Sequence, residues 1–154
     1  MAYVLAFAFA SAAAATAAPA TAKGELCEPN EQTIWSCAKG AKRYALCASK
    51  EIGAATSYLQ YRAGVPARPD FVFPATRRPP KGVFKFANYN KTARVHFENA
   101  GYRYEILESI YGQATIDVAK GAKSVASIKC DTSTDTLTLN TTMEQFHQMG
   151  ISEP

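Results

Sequence analysis

From residue 32 onward, apolar and polar residues alternate in short runs broken by glycine-containing turns. This is the period of half-buried β-strands, not of helices. Gln32 to Ala38 and Lys42 to Ala48 flank Lys39-Gly40-Ala41, where glycine supplies the positive φ of a tight hairpin. Thr56 to Arg62 sets Ser57, Leu59 and Tyr61 against Tyr58, Gln60 and Arg62. Ala93 to Glu98 likewise sets Ala93, Val95 and Phe97 against Arg94, His96 and Glu98. Asn99-Ala100-Gly101 then turns the chain into Tyr102 to Tyr111, a long β-rich run. Gln113 to Val118 and Ser124 to Cys130, joined around Lys120-Gly121-Ala122, complete a meander.

Two stretches depart from this pattern. Gly64 to Gly82 holds five of the eight prolines, Pro66, Pro69, Pro74, Pro79 and Pro80. Proline cannot serve a central strand, so a long structured loop is expected, with at most one edge strand at Asp70 to Phe73. After Cys130 the chain turns polar and Thr-rich, with a short strand expected at Thr136 to Leu139. Thr141 and Glu144 have capping-box spacing, and Met143, Phe146 and Met149 recur at helical steps, which predicts a short C-terminal helix. The fold class read from these elements is mainly β: an antiparallel meander forming a small β-sandwich or barrel.

Composition adds a compartment. Residues 1–22 contain no Lys, Arg, Asp or Glu, and run from an apolar stretch into an alanine-rich region ending in Ala20-Thr21-Ala22. A small-x-small triplet of this kind is a signal-peptidase site, so 1–22 reads as a cleaved signal and 23–154 as one domain. The alanine and threonine content after position 10 suits a processed signal better than a retained membrane anchor. With 17 basic and 13 acidic residues the formal charge is +4, far from the dense basic footprint of a nucleic-acid binder.

The four cysteines, Cys27, Cys37, Cys47 and Cys130, all follow the signal and read as two disulfides. The spacing among the first three lacks the short Cys-x(2–4)-Cys hairpin of zinc ribbons, and no metal site is expected. Three connectivities exist. A tight register of the first hairpin pairs Cys37 near Arg43 and Cys47 near Thr33, too far apart along the strands for those two sulfurs to bond. Cys27–Cys47 with Cys37–Cys130 is the favoured set.

Candidate chemistry is sparse. There are two histidines, His96 and His147, no free thiol in the expected pairing, and no G-x-S-x-G, H-E-x-x-H or phosphate-cradling glycine motif. The sequence therefore gives no cofactor and no catalytic residue. Glu98, Glu105, Glu108 and Asp117 would make a carboxylate hydrolase only if the fold brought them together. More suggestive are Tyr58, Gln60, Arg62, Arg94, His96 and Arg103, which alternate away from the apolar set, together with Arg77 and Arg78 in the proline-rich segment. Arginine beside tyrosine anchors protein interfaces and, through aromatic stacking, sugars. An antiparallel sheet also simply solvates one face with such residues. Asn90-Lys91-Thr92 and Asn140-Thr141-Thr142 have the form of glycosylation acceptors for a eukaryotic secretory pathway.

The spacing Cys27…Ser36-Cys37…Leu46-Cys47-Ala48, then Tyr58-Leu59-Gln60-Tyr61-Arg62-x-Gly64 and Phe73-Pro74, resembles a family of small exported proteins of Gram-negative bacteria. Phe97…Gly101-Tyr102-x-Tyr104-Glu105-Ile106 and the closing Cys130 extend the resemblance, with Ala63 standing where an aromatic is expected. That family is uncharacterised, so the resemblance implies a periplasmic address and no catalytic residue. In size, export signal, disulfides and β content the chain is also similar to the periplasmic lysozyme inhibitors, small β-barrel proteins that insert a loop into the enzyme's cleft. The expectation that follows is a non-enzymatic periplasmic or secreted binding protein, acting on an envelope protein or glycan. A carboxylate-dependent envelope hydrolase and a purely structural envelope component are the alternatives.

Overall fold

In a computed structural model, residues 25–53, 55–66 and 68–154 are described, and the expected signal at 1–22 lies outside them. Among the described residues, ten strands form two five-stranded antiparallel sheets that pack together without closing into a barrel. In the first sheet, β1 (Glu31–Lys39), β2 (Lys42–Ser49), β3 (Leu59–Val65) and β4 (Arg68–Phe73) follow one another, and the two-residue β10 (Thr132–Ser133) flanks β1. In the second, β5 (Phe84–Tyr89), β6 (Thr92–Asn99), β7 (Tyr102–Ser109), β8 (Thr115–Lys120) and β9 (Lys123–Lys129) form a continuous meander.

Tight turns set the registers. Lys39 pairs with Lys42, Tyr89 with Thr92, Asn99 with Tyr102 and Lys120 with Lys123, each leaving two residues in the turn. At the third of these both turn residues, Ala100 and Gly101, have positive φ (51° and 79°), which matches the right-handed twist of the flanking strands. Near its turn the first hairpin runs one residue away from the predicted register, with Cys37 opposite Tyr44. A bulge between Thr33 and Trp35 then restores Thr33 opposite Cys47.

Both disulfides match the favoured set: Cys27–Cys47 and Cys37–Cys130. The second ties β1 of one sheet to the end of β9 in the other, at the point where the chain crosses back to form β10. These bonds place folding in an oxidising, non-cytoplasmic environment. Among the described residues no helix is long and apolar enough to cross a membrane.

Three sequence expectations change. The proline-rich stretch holds more strand than expected: the edge strand at Asp70 to Phe73 is present but begins at Arg68, β3 runs to Val65, and the loop proper shrinks to 74–83. Pro69 is accommodated because β4 is an edge strand. Gly64 is required there, since with φ 148° a Cβ would sit 2.5 Å from Asp70 N of the adjoining strand. Thr136–Leu139 is a turn, and the added strand is Thr132–Ser133. The helix, α1 (Asn140–Gln148), starts two residues early for a capping box at Thr141: Leu139 is its N-cap and no side chain caps it.

The shared core is aromatic. Trp35, Leu46, Leu59 and Tyr61 from the first sheet meet Phe84, Val95, Phe97, Ile106 and Ile116 from the second, all buried. Phe73, Phe97, Tyr104 and Phe71 stack in series, with centroids 4.6, 4.9 and 5.3 Å apart. Helix α1 bridges the sheets by packing Phe146 on Phe86 and hydrogen-bonding Gln145 to Gln32.

Candidate functional site

The sandwich has two outward faces, and the residues singled out above divide between them. On the first sheet, Gln60 and Arg62 point away from the core as the alternation requires, yet both are buried. The cover comes from the N-terminal segment. Cys27 is bonded to Cys47, which is Gln60's cross-strand neighbour on that outer face, so Leu26 to Glu28 lie across it.

Under this cover Arg62 grips the carboxylate of Glu31 with both guanidinium nitrogens, at 2.7 Å each. It also donates to Leu26 O and Gln60 Oε1, and Gln60 in turn donates to Pro74 O. Tyr58 Oη and the Glu28 amide complete the acceptor shell of Glu31, and Arg77 reaches the same carboxylate at 3.2 Å. Arg77 also pairs with Glu28 and lies 4.9 Å over the Tyr58 ring.

Burial alone would raise the Glu31 pKa, but the hydrogen bonds from Arg62, the Glu28 amide and Tyr58 hold it below the usual carboxylate range. Burial and the Glu31 hydrogen bond push the Tyr58 phenol up to about 12. Tyr58, Gln60, Arg62 and Arg77 thus form a closed network satisfied from within. Arg62 offers no free donor face to a partner. Neither Glu31 nor Glu28 was expected from the sequence.

The second sheet keeps its polar face open. The strand registers align Lys85, His96, Glu105, Asp117 and Ser127 in one row across all five strands. Glu98 and Arg103 stand opposite one another in the next row. Arg103 donates to Glu105 at 3.0 Å, while Arg94 lies 3.7 Å from Glu105 and donates to Tyr89 Oη at 2.7 Å. The C-terminal residues pair with β5, which brings the Glu153 carboxylate to 3.8 Å from both Lys85 and Arg94. These pairs are long and partly solvated, and each contributes little to stability.

His96 Nδ1 and Arg94 Nε are shielded from solvent without a hydrogen-bond partner. Partial burial, then the charge of Arg103, lowers the His96 pKa, so the ring is neutral near pH 7. Beside His96 opens a cleft of about 410 Å³ lined by Phe73, Arg78, Gly82, Val83, Lys85, His96, Phe97 and Glu98. Arg78, unlike its neighbour Arg77, has no carboxylate partner among the described residues. The cleft's lining therefore offers the Arg78 guanidinium, the Lys85 ammonium with Glu153 at 3.8 Å, a neutral imidazole and the Glu98 carboxylate, beside the aromatic side chains of Phe73 and Phe97. Glu153 and Tyr89 escaped the sequence reading, as did the strand that carries Lys85, although Phe84-Lys85-Phe86 has a visible period-2 signal.

The four carboxylates do not form one constellation. Glu105 and Asp117 face each other on the open sheet and Glu98 lies nearby, but Glu108 points inward and is 1% exposed. There it accepts from Thr138 N and Oγ1, while its Oε2 and the Trp35 indole N–H lack partners. Burial raises its pKa. Among the described residues the one cluster of metal-ligand types is Cys27, Glu31 and Cys47, whose sulfurs are already joined to each other.

No protein-family model matches the chain, and neither curated proteins nor solved structures give a match. The site must be read from its own geometry.

Proposed function

We propose that this is a non-enzymatic binding protein of the periplasm or extracellular space, engaging an envelope protein or glycan through the open face of the second sheet. One observation carries the reading. On the first sheet the buried Arg62 is taken up by Glu31, whereas on this side a cleft is lined by Arg78, which has no carboxylate partner among the described residues. A guanidinium in a cleft that also presents aromatic side chains suits an acidic group attached to an apolar or sugar body. An inhibitor role follows the same chemistry, with Arg78 entering an acidic catalytic cleft from the exposed loop.

The test uses the oxidised protein purified from a periplasmic extract, offered to isolated cell-wall sacculi and to a panel of lysozymes. Binding or inhibition that is lost in an Arg78→Glu/Lys85→Glu variant, with the melting temperature unchanged, supports the proposal. An unchanged response in that variant, or no binding and no inhibition at large excess, overturns it.

A further inference from the structure

The four sheet edges are not treated alike. An exposed edge strand presents unpaired N–H and C=O groups, a template on which another chain can add. Three edges here are blunted. β10 has only two residues, and β4 carries Pro69 between the exposed charges Arg68 and Asp70. β5 is covered by the C-terminal segment, since Phe86 N–H donates to Ile151 O at 2.8 Å and Glu153 N–H to Phe86 O at 2.7 Å.

β9 is the longest edge strand and has no proline and no covering segment among the described residues, although its ladder to β8 shifts register between Val118 and Ala119. Its seven residues, Lys123-Ser124-Val125-Ala126-Ser127-Ile128-Lys129, contain no proline and no interior charge. All but Ile128 are exposed, Val125 to 53%. Among the described residues β9 pairs only with β8. Lysines close both ends, and neither has a carboxylate within ion-pair distance among the described residues. A second copy is a poor occupant. Antiparallel pairing of β9 with itself about Ala126 would set Lys123 against Lys129 twice, and like charges directly opposite destabilise a ladder.

We infer that β9 is a docking edge for an extended segment of a partner protein, neutral and β-branched in the middle with carboxylates opposite Lys123 and Lys129. Backbone hydrogen bonds to the free side of β9 supply the affinity, and the two ion pairs, spaced by roughly 20 Å of strand, set the register. This surface is separate from the cleft, so either reading stands if the other fails.

The test titrates the isotope-labelled, oxidised protein with the synthetic peptide acetyl-Glu-Thr-Val-Thr-Val-Thr-Glu-amide, followed by backbone amide shifts. Shifts confined to β9 and its β8 neighbours are expected. Affinity should fall roughly tenfold in a Lys123→Glu/Lys129→Glu variant and be regained there by the same peptide with lysine ends. Absence of β9 shifts at millimolar peptide, or shifts mapping to the Arg78 cleft, would overturn the assignment. So would sedimentation of the free protein as a dimer whose β9 amides are protected from exchange.

Discussion

Gln60 and Arg62 on β3 and Arg94 and His96 on β6 occupy equivalent places in the alternation of their strands. Each pair points away from the same aromatic core. On the first sheet a segment stapled through Cys27–Cys47 folds over the polar residues and turns them into an interior ion-pair network. On the second sheet the cover is partial: the C-terminal Glu153 reaches Arg94, and Arg94 and Glu105 keep about a fifth of their side-chain surface. The lesson concerns what a polar side chain on a sheet is for. Where a covering segment brings its partners, it holds that segment in place. Where none does, its charge remains available to another molecule.

The contrast should be largest when one ion is removed from each face. Arg62→Ala removes the bidentate partner of Glu31, whose side chain has no exposed surface, and leaves Arg77 at 3.2 Å as its counter-charge; the expected loss is about 3 kcal/mol, the lower end for broken buried pairs. Replacing both Arg62 and Glu31 by leucine should cost less than either single change, because no ion is then stranded. Thermal unfolding of the three variants checks this; equal losses for single and double changes would mean that the network contributes by packing alone.

Next in size is the staple itself. The Cys27–Cys47 bond closes a loop of 20 residues, and chain-entropy reasoning gives about 3 kcal/mol for a loop of that order. Cys27→Ser/Cys47→Ser should lose about that much and also expose the Arg62 network to solvent. Tyr58 and Gln60 amides should then exchange faster while those of β6 and β7 hold their protection. Uniform loss of protection over both sheets would show that the cover and the sandwich unfold as one.

Acid should separate Glu31 from Glu108. The folded-state pKa of Glu31 lies below its ordinary value of 4.5, so its contribution is fully present above that pH and is lost as the pH falls through the lower folded value. Glu108 has the opposite sign. Its folded pKa is raised above 4.5, so the folded state holds the extra proton and stability declines as pH climbs from 4.5 through the raised value. Glu31→Gln should erase the acid-side rise and Glu108→Gln the later decline. The second effect should be on the order of 1–3 kcal/mol, the cost of an unsatisfied buried polar group. Melting temperatures measured from pH 3 to 8 decide both.

How far the sequence carried these conclusions depends on the range of the signal. Alternation and two-residue turns are local, so the β1–β2, β6–β7 and β8–β9 hairpins could be paired from sequence, and hairpin register excluded a Cys37–Cys47 bond. What alternation cannot say is whether "away from the core" means toward water. The face over Arg62 is covered by a segment that precedes it by some thirty residues, and the informative clue was indirect: Cys47 shares a face with Gln60, so any partner of Cys47 must lie over that face. β5 was hidden by the prolines before it, although Phe84-Lys85-Phe86 alternates cleanly. The capping spacing at Thr141 misled because local hydrogen-bond patterns compete with the tertiary ties that fix where α1 begins, here Thr138 held by Glu108.

The smallest expected effect is the most telling for function. Arg103→Ala and Lys85→Ala on the open face remove pairs of 3.0 and 3.8 Å whose partners remain hydrated. Each should shift stability by no more than about 0.5 kcal/mol, within the scatter of exposed ion pairs. If both are that mild, the row of charges across β5 to β8 does not hold the fold together, unlike the network on the opposite face. A loss of 2 kcal/mol or more, on the scale of a buried pair, would mean that this face is as structural as the first. The two sides of the sandwich would then differ only in how much water they admit, and the proposed binding surface would lose its support.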